Sequence, residues 1–208
     1  MVKSDSALHK LIGGILAGEA EGVARLLAAS PQLARANFHT GGTRQSAVPF
    51  FLAQIGRYIY AGDTALHIAA AAYQTEIVSN LLTAGANVHA RNRRGQEALH
   101  AAACGSPGSH FWNPQAQAAT ITRLVEAGAD PNALDKSGVS PLHKAIRTRC
   151  AGAVRTLLDL GADPAGPNKN GSSPMLLAIQ NTGRSGSGSE EAKLQQQGIL
   201  RLLEERAT

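Results

Sequence analysis

The chain has 208 residues, of which 43% are hydrophobic and only 4% aromatic, and it carries a net charge of +5. Ala, Leu, Ile and Val must therefore build the core, a composition that suits close-packed helices, and no run approaches the ~20 apolar residues of a membrane span. Cys104 and Cys150 make neither a disulfide framework nor a zinc site, so no metal or cofactor is expected and the reducing cytoplasm is the expected location.

The basic residues are spread along the chain without a recognition motif, which argues against nucleic acid, while the charge gives a mild bias towards acidic partners. The early apolar stretch "LIGGILAG" is short and runs into an amphipathic pattern, so it is not read as a signal peptide. From Ala7 to Asn37 the sequence reads as two helices, "LHKLIGGIL" and "EGVARLLAA", followed by Ser30 and Pro31. Residues 38–60 are rich in aromatic residues. There Phe51, Ile55 and Ile59 recur every four positions, which predicts a short amphipathic helix after Pro49.

From Gly62 the chain repeats itself. "AGDTALHIAAAA", "RGQEALHAAACG", "SGVSPLHKAIRT" and "NGSSPMLLAIQN" align, with glycines at 62, 95, 138 and 171, and "AGANVHA", "AGADPNA" and "LGADPAG" form a second series at 85, 128 and 161. The glycines supply tight turns, Thr64, Ser140 and Ser173 offer N-cap hydroxyls, and Pro141 and Pro174 sit where a helix has no use for an N–H. After a loop, Ile77, Val78, Leu81 and Leu82 give a second helix its apolar stripe, ended by Gly85. Each unit is a turn plus a helix pair. The step from Gly95 to Gly138 is ten residues longer than the others and holds "SPGSHFWNPQ", residues 106–115.

These motifs resemble the ankyrin repeat, Gly-x-Thr-Pro-Leu-His-x-Ala with a downstream Leu-Leu-x-x-Gly-Ala-Asp. Glu97 and Leu176 depart from the pattern, standing in place of the capping hydroxyl and of the histidine. The resemblance implies an all-α solenoid of about five helix–turn–helix units with β-turn fingers, a concave face lined by the first helices, and usually a protein-binding role. The expected organisation is a single domain over 1–208. It comprises a capping unit 1–37, an enlarged finger 38–60, units 61–93, 94–136 and 137–169, and a capping unit 170–208 with an insertion at 183–194.

Seven of the eight aromatic residues lie in the first two insertions; only Tyr73 belongs to a standard unit. Ile68, Ala71, Ala72, Ala101, Cys104, Gly105, Lys144, Arg147 and Thr148 are expected to floor the groove between them. The aromatic rings either fill that hollow as extra core or form a site, since Tyr, Trp and Arg are the types that anchor interfaces.

The expected anchors are Arg44, Tyr58, Tyr60, Phe111, Trp112, Lys144 and Arg147. The partner would be a protein or peptide, and an acidic one would meet Arg91, Arg93, Arg94, Lys136 and Lys169, which form a positive strip along the finger tips. The alternative is a small anionic ligand, bound or acted upon in a pocket between 38–60 and 106–115, with Phe111 and Trp112 closing it and Lys144 and Arg147 holding the anion.

No catalytic residue is assigned, and an enzyme is the less favoured class. His67, His100 and His143 share one repeat position, a spacing that cannot converge on one metal ion and suits hydrogen bonding to loop backbone. Cys104 follows His100 by four residues, as a nucleophile would follow its base, but a structural histidine is already engaged. Arg44, Tyr60 and Asp63 could form a polar cluster at the base of the enlarged finger, but structural capping is the better explanation of Asp63.

Overall fold

The computed structural model describes residues 3–180 and 190–206. Ten α-helices occur among them: α1 (Lys3–Ala17), α2 (Ala20–Ala29), α3 (Ala65–Ala71), α4 (Thr75–Thr83), α5 (Ala98–Ala102), α6 (Pro114–Glu126), α7 (Pro141–Arg147), α8 (Ala151–Asp159), α9 (Pro174–Gln180) and α10 (Glu190–Arg206). They stack as two layers. The odd-numbered helices contact one another in sequence along one layer, the even-numbered helices do the same along the other, and each pair joins the two. The chain is thus a solenoid of five helix pairs.

The sequence explains the layering. In α3 every residue from Ala65 to Ala70 is buried, and a helix sandwiched between α1 and α5 has to be mostly alanine for its backbone to fit. The outer helices are amphipathic instead: α4 buries Ile77, Val78 and Leu81, and α8 buries Ala153, Val154, Leu157 and Leu158. At the turns, Gly95 and Gly138 adopt φ of +75° and +67°, and a Cβ there would lie 2.9 and 2.7 Å from the backbone nitrogens of Lys136 and Lys169 in the next finger. Glycine is therefore required twice over, for backbone conformation and for the close approach of neighbouring fingers.

The enlarged finger departs from the predicted helix. Residues Val48–Phe50 and Ala53–Ile55 form single 3-10 turns, and β1 (Phe51–Leu52) pairs antiparallel with β2 (Arg57–Tyr58) around Gly56, whose φ is +59°. The four-residue spacing of Phe51, Ile55 and Ile59 fails as a helix because left-handed Gly56 interrupts it. Aromatic and β-branched neighbours prefer the pleated ladder, and the Phe51 and Tyr58 rings meet across it at 4.8 Å. The finger is closed at its base by Phe38, whose N–H donates to the Asp63 carbonyl at 2.9 Å and whose carbonyl accepts from Gly62 at 2.7 Å.

In the second insertion Asn113 caps α6 by accepting from the Ala116 N–H at 3.0 Å, so Pro114 and Gln115, expected in the loop, begin the helix. Of the expected insertion at 183–194, residues 183–189 lie outside the described residues and 190–194 belong to α10.

Candidate functional site

The three repeated histidines are fully engaged. The Nδ1 atoms of His67, His100 and His143 accept the backbone N–H of Thr64, Glu97 and Ser140 at 3.2, 3.2 and 3.3 Å. Their Nε2–H groups donate to the carbonyls of Gln96, Val139 and Ser172 in the following unit at 2.9, 3.1 and 3.3 Å. Both ring nitrogens are used, which fixes the neutral tautomer and leaves neither a metal-binding lone pair nor a base for Cys104. Burial lowers all three pKa values, that of His100 to about 4. The Cys104 thiol donates to the His100 carbonyl at 3.4 Å, and burial pushes the Cys150 thiol up to about 11. No nucleophile–base pair is formed here.

The two insertions do face each other. A Cβ on Gly56, at the hairpin tip, would lie 2.8 Å from the Phe111 ring, and beneath this contact opens an inner cleft of about 380 Å³. Ala71, Ala101, Cys104 and Gly105 floor it, Ile55 and Phe111 provide apolar walls, and Arg57, Arg94 and Lys144 provide charge. Tyr58, Tyr60 and Arg94 separate it from an outer cleft of about 460 Å³ completed by Gly42, Thr43, Arg44, Ala47 and Arg93. Tyr60 is held by cations: the Arg93 and Arg94 guanidinium groups lie 5.5 and 5.1 Å from its ring centroid, and Arg94 Nη1 donates to its hydroxyl at 3.1 Å.

Arg57, which no sequence motif singled out, is the most buried of these cations, with its side chain 13% exposed. Its Nη2 lies 3.6 Å from Oδ1 of Asp63, and neither Nε nor Nη2 has a hydrogen-bond acceptor among the described residues. Asp63, fully buried, already accepts from the Tyr60 N–H and from Asn92 Nδ2, each at 2.8 Å. Arg57 thus takes the place expected for Arg44, which is exposed on the outer cleft.

Lys144 sits 3.8 Å from Asp135, and burial lowers its pKa while Cys104 and Asp135 oppose that shift. Burial acts to raise the Asp135 pKa, but hydrogen bonds from Gln96, Val139 and Ser137 outweigh it and hold the carboxyl below its ordinary value. The Tyr73 hydroxyl donates to the Cys104 carbonyl, and burial raises its pKa.

Several expected anchors land elsewhere. Trp112 does not close the inner cleft: it packs half-buried against the core, and its Nε1–H donates to Oε1 of Gln117 at 2.9 Å. Gln117, fully buried, donates in turn to the carbonyls of Ala102 and Cys104 at 2.9 and 3.2 Å, tying the insertion to α5 and the turn after it. Phe111 alone of the pair lines the cleft. Arg147 is exposed on α7 and lines neither cleft, and Ile68 is wholly buried in the core rather than flooring the groove.

The positive strip is also narrower than its sequence suggests, because Arg91 pairs with Glu97 at 2.9 Å and Lys169 donates to the Lys136 carbonyl at 2.8 Å. Among the described residues no helix is long and apolar enough to cross a membrane.

Two family models match the sequence, ankyrin repeats (3 copies) over residues 16–110 and ankyrin repeats (many copies) over residues 124–178. Among curated proteins the chain is similar to ankyrin repeat and SOCS box protein 16 of Mus musculus, 38% identical over 89 residues. That alignment covers 43% of this chain and 19% of the relative. It is also similar to the E3 ubiquitin-protein ligase KEG of Arabidopsis thaliana, 37% identical over 93 residues, which is 43% of this chain and 5% of that protein. The matches span less than a fifth of either relative.

Proposed function

Because the chain belongs to the ankyrin repeat family, whose repeats generally mediate protein–protein interaction, we propose that it is a binding module that takes an acidic protein segment across the two clefts. One observation carries the reading. Five cationic side chains, Arg44, Arg57, Arg93, Arg94 and Lys144, line the adjoining clefts beside Tyr58 and Tyr60, and no carboxylate is among the lining residues. Exposed tyrosine and arginine together are the usual anchors of protein recognition, and a field of one sign steers an oppositely charged segment into place.

The fold itself supplies the scaffold but not the specificity, which rests on the insertions. Free cysteines suit a cytoplasmic setting. Affinity capture with the Arg93→Glu, Arg94→Glu double variant tests the reading. A folded double variant is expected to lose the partners of the unaltered chain, and retention of all of them would remove this surface from consideration.

The second reading, a small anionic molecule in the inner cleft, draws support from that cleft's size, which falls in the ~300–1,000 Å³ range of small-ligand sites. Native mass spectrometry of the protein purified without additives separates the two readings: a bound small-molecule mass favours the second.

A further inference from the structure

The inner and outer clefts differ in how their charge is balanced. Behind Arg57 and Lys144 stand the carboxylates of Asp63 and Asp135, at 3.6 and 3.8 Å, whereas neither Arg44 nor Arg93 of the outer cleft makes an ion pair among the described residues. With Arg94 on the shared wall, the inner cleft therefore holds three cations against two carboxylates, an excess of one positive charge. One excess charge suits a monoanion. A carboxylate fits it better than a phosphate, which would bring close to two negative charges into a site this small.

Hydrogen bonding points the same way. Asp63 meets Arg57 at ion-pair distance while accepting its short hydrogen bonds from Asn92 and from the Tyr60 backbone, so the guanidinium is left with buried N–H groups at Nε and Nη2 that no acceptor among the described residues satisfies. An orphaned charged donor is costly to bury, and guanidinium recognises planar carboxylates better than any other side chain does. The rest of the lining specifies what carries the carboxylate. Ile55, Ala71, Ala101 and Phe111 offer apolar surface in the same cleft as the cations, which suits a short methylene stem.

We infer that the inner cleft is a glutamate subsite: one glutamate side chain of an acidic partner segment lies along Ala71 and Phe111 and places its carboxylate against Arg57, while neighbouring acidic residues meet Arg44 and Arg93. This assignment rests on the acidic-segment reading and adds to it a position at which one side chain is buried. Arg57 is its anchor.

The test uses the full chain and titration calorimetry at about 0.15 M salt, where loosely attracted surface charge is screened. The probes are an acetylated hexaglutamate peptide and, separately, free glutarate. Hexaglutamate is expected to bind, with affinity falling about tenfold or more for Arg57→Gln. Because that change can also disturb Asp63, Ala71→Leu serves as the second variant: it fills the floor, leaves Arg57 in place, and is expected to weaken the peptide to a similar degree. The thermal midpoint of each variant verifies folding.

If both variants bind hexaglutamate as tightly as the unaltered chain while Arg93→Glu abolishes binding, the subsite is overturned and the acidic-segment reading stands. If glutarate binds in an Arg57-dependent way and the peptide does not, the acidic-segment reading falls and the peptide assignment falls with it. Binding of neither probe overturns both.

Discussion

The regular fingers and the enlarged finger solve the same problem differently. In the finger that ends at Ser140, Asp135 accepts from Gln96 at 3.1 Å and from the Ser137 and Val139 N–H groups at 2.8 and 3.1 Å, so its buried oxygens are occupied from within the stack. In the enlarged finger the buried carboxylate is Asp63, which stands at the repeat position of Gln96 rather than of Asp135; it also serves its own turn, but the inserted hairpin adds Arg57, whose Nε and Nη2 find no acceptor among the described residues. The regular finger is closed electrostatically, and the enlarged one is left open at one point. Asp135 is satisfied from within the stack, whereas Arg57, which the insertion brings, is not, and that is where a partner gains something by binding.

The sharpest way to break this contrast is Asp63→Ala. It removes the acceptor of Tyr60 and Asn92 and leaves Arg57 buried without its counter-charge, so a loss of about 3–5 kcal/mol in urea unfolding is expected. A loss below about 1 kcal/mol would mean that Arg57 is already neutralised by solvent, and the open-finger account would fail.

Acid tests the closed side of the comparison. The folded pKa of His100 is about 4, against about 6.5 in an unfolded chain, and burial lowers His67 and His143 too. Below about pH 6.5 the unfolded chain therefore binds protons that the folded one refuses, so stability is full above that pH and drains away towards pH 4. His100 alone is expected to account for about 3 kcal/mol between those limits. Denaturant titrations at several pH values measure this, and His100→Gln should flatten the dependence.

Next in size is Gln117→Leu, which preserves volume but orphans the Trp112 N–H and the Ala102 carbonyl while the Cys104 carbonyl keeps its bond from Tyr73, for an expected loss of about 2 kcal/mol. Red-shifted and more quenchable emission from the single tryptophan should accompany it. The smallest effect is expected from Tyr60→Phe, which removes the hydrogen bond from Arg94 but keeps the ring under both guanidinium groups, at about 0.5–1 kcal/mol.

Much of the fold was legible because a repeat states its rules several times. Ser140 followed by Pro141 announces a helix start, and the same histidine three times over announces a loop contact, since each position can be checked against its copies. An insertion occurs once and offers no such check. The hairpin at residues 51–58 left a signal in Gly56, flanked by Phe50 and Phe51 on one side and Tyr58, Ile59 and Tyr60 on the other, but the spacing of Phe51, Ile55 and Ile59 imitated a helix. Lys144 could be placed beside the groove from its repeat position on a first helix, while Tyr58, Tyr60 and Phe111 stood out only as aromatic residues of the insertions. Arg57 could not, since its burial depends on Asp63, brought beside it only by the return of the finger to its base. The packing of Trp112 is hidden for a related reason: its partner, Gln117, lies on the next helix and reads in sequence as an ordinary polar residue.

The histidine contacts also bear on how the array comes apart. Each of the three joins one unit to the next, at every interface except that between the first and second pairs, where Asn37 and Thr64 form a backbone bridge instead. In a linear array, cooperativity is set by the coupling between nearest neighbours relative to the stability of each unit. Three of the four couplings here share one titratable chemistry, so acid weakens them together while leaving the first interface alone. The block that unfolds in a single step therefore shortens as pH falls, and the denaturant slope of the main transition shrinks with it.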